Sequence, residues 1–326
     1  MIIPTDHARQ RPAGATAIRT PFQLAVVGLG KIAVDQHLPA IAATPGLALA
    51  ATVDPRPTAG GTADFASLPA LLATGRQVDA VVVCTPPQVR AAIAMQALDA
   101  GLSVLLEKPP TATRAEFEAL RERAAATGRT LFTAWHSRFA PCVDAARLWL
   151  DGRDVVAGRI EWREDVRRWH PGQRWLWQAG GLGVFDPGIN AFSILTALLP
   201  TSVAVLDATL AIPENCETPI AAALALSAGD ARIDVALDFL QSGPQSWDIV
   251  LDTRCGHRLQ LADGGARMLV DGVPLPTPEG AEYPAVYARF ADLLTRGASD
   301  ADAAPFALAL DALARGTVRR VAAFIE

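Results

Sequence analysis

The first half of the chain alternates short, mostly apolar stretches with segments in which apolar positions recur every three or four residues. The apolar stretches predict buried strands at residues 22–27, 47–53, 79–84, 102–106 and 130–135. The periodic segments predict helices at residues 67–74, 89–100 and 114–127, the last two of which end at a glycine. Strands that are apolar on both faces and separated by helices are typical of a parallel sheet covered on both sides. We therefore predict an α/β domain over residues 22–138.

After residue 138 the pattern changes to strands with one apolar and one polar face. Such strands are predicted at residues 155–166, 203–212, 220–226, 232–240, 247–251, 258–261 and 267–270. A helix at residues 180–200 is expected to lie against one face, and two closing helices, at residues 284–296 and 305–325, are expected to return towards the first domain. Short two-faced strands joined by tight turns predict an antiparallel sheet. Residues 139–326 are thus predicted to form a second domain, and residues 1–21 a flexible tail.

Composition and charge narrow the class of partner. The formal net charge of −5 has its signs interspersed along the chain, which argues against nucleic acid as the main partner. No apolar run reaches the length of a transmembrane helix, so no membrane partner is expected. The four cysteines lie far apart, without CxxC pairs or histidines at metal-ligand spacing. This favours reduced thiols in a cytoplasmic protein and no bound metal.

A GxGxxA motif, GLGKIA at residues 28–33, lies directly between the first predicted strand and a helical segment. Its glycines allow a tight turn and a close approach of backbone N–H groups to a pyrophosphate. The second strand ends in Asp54, where a dinucleotide-binding unit needs a carboxylate for the ribose hydroxyls, and this favours NAD. Arg56 leaves NADP possible, because it could receive a 2′-phosphate. The predicted cofactor-binding residues are Gly28, Gly30, Lys31, Ile32, Asp54, Arg56, Thr85, Pro86, Glu107 and Lys108.

Lysine is used at only two positions. Of the 29 basic residues all but Lys31 and Lys108 are arginine, and both lysines fall inside motifs. Ligands of parallel α/β sheets bind at the carboxyl ends of the strands, and Lys108 follows the fourth strand. Pro109 restricts Lys108 to an extended conformation, and the bond between them is a candidate for the cis form. We predict Lys108 at the rim of the cofactor crevice; the alternative is a surface pair with Glu107.

The segment GGLGVFDPGIN at residues 180–190 contains a second group of candidate residues. Asp186 and Asn190 are four residues apart at the start of an apolar run, which puts both side chains on one face of a helix. The preceding glycines are expected to let a ligand approach closely. The alternative is that Asp186 simply caps the helix, as an acidic residue before a proline often does.

Four of the seven tryptophans fall between residues 162 and 177, interleaved with charged and polar residues that include Glu164 and His170. Aromatic faces with convergent hydrogen-bonding groups suit a sugar ring, which offers C–H patches and a rim of hydroxyls. An aromatic oligomer interface is the alternative explanation.

Taken together, GLGKIA, the Glu107-Lys108-Pro109 motif and GGLGVFDPGIN resemble the glucose–fructose oxidoreductase/inositol dehydrogenase family, over nearly the whole chain from residue 22. Residues 162–190 are similar to bacterial aldose 1-dehydrogenases that act on L-arabinose and D-galactose. The resemblance implies a Rossmann domain followed by an α/β domain with a large open, mostly antiparallel sheet. It also implies that Lys108 and Asp186 are catalytic. The family's usual histidine is Asn190 here, so the base is Asp186 or Lys108, unless His170 replaces it.

The function expected from this resemblance is NAD(P)-dependent oxidation of an aldose, D-galactose or L-arabinose, at C1 to the lactone. Hydride leaves C1 for the nicotinamide, Asp186 takes the O1 proton, and Lys108 stabilises the oxyanion or shares the proton. The residues expected to hold ring hydroxyls are Asn190, Glu164 and His170, with His136 as a further candidate. The alternatives are a dehydrogenase of another polyol, such as an inositol, and a non-catalytic nicotinamide-binding regulator. A wide sheet needs its open face covered, so a homo-oligomer through that face is expected.

Overall fold

The computed structural model describes residues 21–56 and 62–325. The predicted flexible tail, residues 1–21, lies outside these ranges except for Pro21. Within the described residues, no helix is long and apolar enough to cross a membrane.

A five-stranded, wholly parallel sheet occupies the first part of the chain. Its strands are β1 (Phe22–Val27), β2 (Leu47–Val53), β3 (Ala80–Val83), β4 (Ser103–Leu106) and β5 (Leu131–Thr133), in the order β2-β1-β3-β4-β5. The helices between them are α1 (Leu38–Ala43), α2 (Leu68–Leu72), α3 (Pro87–Asp99) and α4 (Arg114–Thr127). Every residue of β3 and β4 is buried, as the continuous apolar pattern predicts for strands covered on both faces. The predicted Rossmann-type sheet is thus confirmed.

The second sheet has nine strands among the described residues. They are β6 (Val155–Arg163), β7 (Val203–Pro213), β8 (Ala221–Ala228), β9 (Ala231–Asp238), β10 (Ser246–Thr253), β11 (Arg258–Ala262), β12 (Arg267–Val270), β13 (Val273–Pro274) and β14 (Thr317–Val321). Their order is β13-β12-β11-β10-β6-β9-β8-β7-β14, and all neighbours are antiparallel except β6–β9 and β7–β14. The mostly antiparallel sheet is confirmed. The remaining helices are α5 (Val143–Leu150), α6 (Val166–Trp169), α7 (Phe185–Leu198), α8 (Glu282–Arg296) and α9 (Ala304–Arg315).

Three predicted element ends are wrong. The helix predicted from residue 180 begins only at Phe185. The last helix does not reach residue 325: it ends at Arg315, and Thr317–Val321 forms the edge strand β14, whose backbone groups pair with β7. The turn at Gly316 leaves no room for a side chain, because a Cβ there would lie 2.8 Å from Leu210 Cγ. Strand β6 ends at Arg163 instead of residue 166, because the Asp165 carboxylate accepts a hydrogen bond from Arg167 N and starts α6.

Helices α7 and α8, from the second half of the chain, each pack against one of the two sheets. Helix α7 is almost wholly buried, and Gly188 lets it approach β9 so closely that a Cβ would lie 2.6 Å from Leu237 Cδ1. Helix α8 packs Tyr287 and Phe290 against the same core as Leu24 of β1. We propose a domain boundary near residue 138, with α8 contributed by the second domain to the surface of the first.

Candidate active site

The loop after β1 has the geometry that a dinucleotide needs. Gly28 has φ of +93°, and a Cβ there would lie 2.9 Å from Thr85 N, so only glycine fits. Beside Gly30 the space is open, because a Cβ added there would have no heavy atom within 4 Å. Thr85 Oγ1 is buried and has no hydrogen-bond partner among the described residues. The open space and this unpartnered hydroxyl fit a bound NAD.

Asp54 at the end of β2 is fixed against this loop. Its Oδ2 accepts a hydrogen bond from Leu29 N at 2.7 Å and its Oδ1 accepts one from Arg56 N at 2.7 Å. The carboxylate is therefore oriented at the place where the ribose of a dinucleotide is expected. Lys31 and Ile32, by contrast, point outwards from the glycine loop: Lys31 is exposed and pairs with Asp35, and Ile32 lines the adjoining cavity.

Lys108 and Asp186 meet although 78 residues separate them. Lys108 Nζ lies 3.2 Å from Asp186 Oδ2 and 3.1 Å from the Asp186 carbonyl oxygen. Their side chains are 13% and 3% exposed, so this is a buried ion pair. Asp186 Oδ1 is buried and accepts no hydrogen bond from the described residues. A carboxylate with one oxygen held by an ammonium and the other unpartnered is suited to accept a proton from a bound ligand.

The two alternatives, a helix cap for Asp186 and a surface pair with Glu107 for Lys108, do not match the geometry. Asp186 lies inside the first turn of α7, where the N-cap residue is Val184, and its carboxylate contacts Lys108 rather than the helix N–H groups. The Lys108 side chain likewise turns to Asp186, while its backbone N–H donates to Glu107 Oε2 at 2.8 Å. The Lys108–Pro109 peptide is cis.

Glu107 is the centre of a buried network. Its Oε1 lies 3.0 Å from His37 Nε2 and accepts a hydrogen bond from Tyr283 Oη at 2.6 Å. Burial alone would raise the pKa of Glu107, but hydrogen bonds and the charge of His37 hold it well below its usual range. The sequence predicts that Glu107 binds the cofactor. In the structure its carboxylate is engaged by His37, Tyr283 and the backbone N–H of Lys108. Pro86 stands at the exposed N-terminal end of α3.

Glu164 is the second oriented carboxylate of the site. Its Oε2 accepts a hydrogen bond from Trp247 Nε1 at 2.8 Å, and its Oε1 lies 3.1 Å from His170 Nε2. Glu164 is only 5% exposed, and Trp247 makes an edge-to-face contact with Trp169 at 5.5 Å between ring centroids. The two hydrogen bonds fix the carboxylate while leaving lone pairs for a ligand.

A cavity of about 590 Å³ brings these groups together. The predicted residues that line it are Ile32, Lys108, His136, Glu164, His170 and Asn190. Among the lining residues that the sequence did not single out, the polar and aromatic ones are Gln36, Ser137, Trp247, Asp263, Glu282 and Tyr283. His136 bonds to Glu282 and stacks on Tyr283 with 5.4 Å between ring centroids. Trp247 is the one tryptophan of the sequence beyond residue 177, and it lies in a predicted strand. Its isolated position could have marked it as a candidate site residue.

The tryptophan-rich segment is only partly at the cavity. Trp162 and Trp169 line it, but Trp177 is half-buried and packs on Phe239 and Phe324 at the edge of the core. The glycines of residues 180–183 were expected to admit a ligand, and this is wrong for two of them. A Cβ at Gly181 would lie 2.4 Å from Trp175 O, and one at Gly183 would lie 2.2 Å from Pro219 O. These glycines allow close packing of the chain on itself, which places the start of α7.

Known proteins are similar to this chain both in the parallel-sheet part alone and over nearly its whole length. The model of an oxidoreductase family with an NAD-binding Rossmann fold, GFO/IDH/MocA, matches residues 22–135. A galactose 1-dehydrogenase of Pseudomonas fluorescens is 44% identical over 312 residues, covering 94% of this chain and 99% of the relative. The crystal structure of a D-galactose-1-dehydrogenase protein from Rhizobium etli has a TM-score of 0.88 at 44% identity, covering 94% of this chain and 99% of that one. A 3-ketoreductase from Actinomadura kijaniata in complex with NADP, 18% identical with a TM-score of 0.79 over 93% of this chain and 100% of that chain, shares the fold.

Proposed function

Because this chain belongs to the GFO/IDH/MocA oxidoreductase family, with its NAD-binding Rossmann fold, we propose that it oxidises D-galactose or L-arabinose at C1. The observation that carries the proposal is the buried Lys108–Asp186 pair with its unpartnered Asp186 Oδ1, beside the sugar-sized cavity. The identity of 44% to two galactose 1-dehydrogenases supports this substrate class. The product is the corresponding lactone.

The reaction removes a hydride from C1 and a proton from O1. NAD, when bound, supplies the hydride acceptor at C4 of its nicotinamide, and Gly28, Gly30, Asp54 and Thr85 are the residues that would hold it. Asp186 accepts the O1 proton at Oδ1, because its Oδ2 is already engaged by Lys108. As the C–H bond breaks, the Lys108 ammonium stabilises the negative charge that develops on O1.

The rest of the cavity orients the sugar ring. Asn190 lines the cavity and lies one helical turn after Asp186, so the two side chains share one face of α7. Glu164 accepts hydrogen bonds from ring hydroxyls in an orientation fixed by Trp247 and His170. Trp162 offers an aromatic surface for the C–H face of the ring. These contacts would hold C1 in line with the hydride acceptor.

The test is reduction of NAD and NADP, followed by the absorbance of the reduced nicotinamide, with a panel of aldoses and inositols. Wild-type protein should oxidise D-galactose or L-arabinose, and Asp186→Asn should lower kcat by about 10² to 10⁴. Asp311→Asn serves as the control, because Asp311 is a surface acid paired with Arg114. Binding of NAD to each variant shows that the fold is retained.

Two outcomes would contradict the proposal. One is that Asp186→Asn and Lys108→Ala both retain most of the wild-type kcat. The other is that NAD binds but no aldose is oxidised, which would favour another polyol, such as an inositol, or a regulator without turnover.

The proposal extends to quaternary structure. On the face of the second sheet opposite α7, Thr209, Ala223, Ala236 and Glu161 lie side by side in register across four strands. These residues are exposed or half-buried, and most are small. A homo-oligomer that covers this face is consistent with such a surface. Light scattering of the purified protein measures the oligomeric state.

We also propose a cytoplasmic location. All four cysteines are free thiols, and Cys255 is exposed on a turn. Proteins of oxidising compartments seldom keep such thiols unpaired. Fractionation of cells that express the protein tests this directly.

A further inference from the structure

Arg90 is a buried cation that the proposed reaction leaves unexplained. It lies in the first turns of α3 and is only 3% exposed. Its guanidinium donates hydrogen bonds to three main-chain carbonyl oxygens, those of Thr85, Glu107 and Pro109. Thr85 follows β3, and the other two residues flank Lys108 after β4. A single side chain therefore ties together two of the loops that form the crevice.

The segment that carries Lys108 is fixed from two sides. Arg90 holds the carbonyl groups immediately before and one residue after Lys108. The Glu107 carboxylate is held by His37 and Tyr283 on the other side. Because both flanking peptides are fixed, the backbone of Lys108 has little freedom. Its ammonium therefore reaches Asp186 from a defined position.

The charge of Arg90 is unusual in its surroundings. Within the described part of the chain, no carboxylate lies within salt-bridge distance of Arg90, and its acceptors are neutral carbonyls. Burying a cation in this way costs free energy that a neutral donor would avoid. The ionisable groups that face it are Glu107, Cys84, Asp186 and Tyr283, and burial outweighs their influence, lowering the pKa of Arg90 from its usual value. Even a lowered guanidinium pKa leaves the group charged near neutral pH.

We propose that Arg90 is a positioning residue for the oxidation: its guanidinium fixes the backbone on both sides of Lys108 and so sets the position of the ammonium against Asp186. This inference rests on the proposed function, because it assigns Arg90 an action on the residue that stabilises the charge developing on O1. The planar fork of donors is what reaches several carbonyls at once. A lysine in its place retains the charge but loses the fork, and a glutamine retains donors but loses both the fork and the charge.

The experiment compares Arg90→Lys, Arg90→Gln and Arg90→Met with wild type, measuring kcat and KM for the sugar at saturating NAD, together with the melting temperature. All three should lower kcat by about tenfold to a hundredfold, because Lys108 is less well placed. KM for the sugar should change by less than about threefold, because Arg90 bonds to none of the residues proposed to hold the ring hydroxyls. Arg90→Lys should not restore kcat, since it keeps the charge but lacks the fork.

Arg320→Gln is the matched control. Arg320 also donates to main-chain carbonyls, those of Pro213 and Cys216, but it lies on the edge strand β14. Its loss should leave kcat and KM unchanged. A merely structural Arg90 would lower the melting temperature without the selective loss of kcat.

Three results would overturn the inference. The first is a kcat close to wild type in Arg90→Lys together with one neutral variant. The second is a KM for the sugar that rises as much as kcat falls in every variant that folds. The third, for neutral variants that do not fold, is an Arg90→Lys enzyme with the kcat of wild type. A wild-type protein that binds NAD but oxidises no aldose refutes the proposed function instead, before any Arg90 variant is made.

Discussion

Replacing His37 with glutamine tests how the buried network around Glu107 stabilises the protein. His37 is fully buried, with Nδ1 2.7 Å from Tyr287 Oη and Nε2 3.0 Å from Glu107 Oε1. Burial lowers the pKa of His37, but its contacts with Cys84 and Glu107 outweigh that effect and raise the pKa to about 10. His37 is therefore a cation at neutral pH, paired with the Glu107 anion.

The magnitude follows from the pKa values. A rise from 6.5 to about 10 corresponds to about 5 kcal/mol of stability, at about 1.4 kcal/mol for each pH unit. The folded-state pKa is the higher one, so this contribution is complete below pH 6.5 and is lost as pH rises towards 10. Removing His37 also leaves Glu107 as a buried charge without its cation, which costs about 3–5 kcal/mol. We expect the free energy of unfolding of His37→Gln to be about 3–5 kcal/mol below that of wild type near pH 6.5, and this difference to shrink towards pH 10.

The assay is urea unfolding of wild type and His37→Gln between pH 6.5 and 9.5, followed by tryptophan fluorescence. The double variant His37→Gln/Glu107→Gln is the control: with no unpaired charge left, it should recover part of the lost stability and show little dependence on pH. A gap between wild type and His37→Gln that stays constant over this range would refute the reasoning, because it would mean that His37 is not charged in the folded protein.

Three further predictions concern the cavity, the core and the cofactor. Trp247→Phe, which keeps an aromatic ring but removes the indole N–H that donates to Glu164, should raise KM for the sugar about tenfold with a small change in kcat; an unchanged KM in steady-state kinetics would contradict it. Gly188→Ala should cost about 1–3 kcal/mol of stability by overpacking against Leu237, measured by urea unfolding, and an unchanged midpoint would contradict it. Asp54→Asn should shift the ratio of kcat/KM for NADP over NAD upward about tenfold, and a constant ratio would exclude Asp54 as the selective group.

The fold could be predicted where one physical constraint acts along the chain. Strand β3 is apolar throughout, and β4 is apolar except for Ser103, because both of their faces are covered, and that pattern is visible within four consecutive residues. Strand β14 could not be found this way. Its sequence, TVRRV, follows a helix-like run, and it is a strand because β7 presents an unpaired edge beside it.

The candidate site was predictable to the extent that topology determines it. Lys108 follows a parallel strand, and such strand ends converge on one edge, so its location follows from the order of elements. The partners of Glu164 do not follow in this way. Trp247 is 83 residues away, and its N–H reaches Glu164 because β6 and β10 pair in one particular register, with Trp162 opposite Trp247. Residue types alone contain no information about that register.

The placement of Asp186 shows how packing, rather than local preference, determines the chemistry of a residue. An acidic residue before a proline favours a capping role, and the local sequence alone would assign it. Gly181 and Gly183 pack against the carbonyls of Trp175 and Pro219, and Gly188 packs against Leu237. Those contacts put Asp186 inside the first turn of α7, turned towards Lys108. A side chain at any of the three glycines would displace the start of this helix, so they support the contact between Asp186 and Lys108 although none of them lines the cavity.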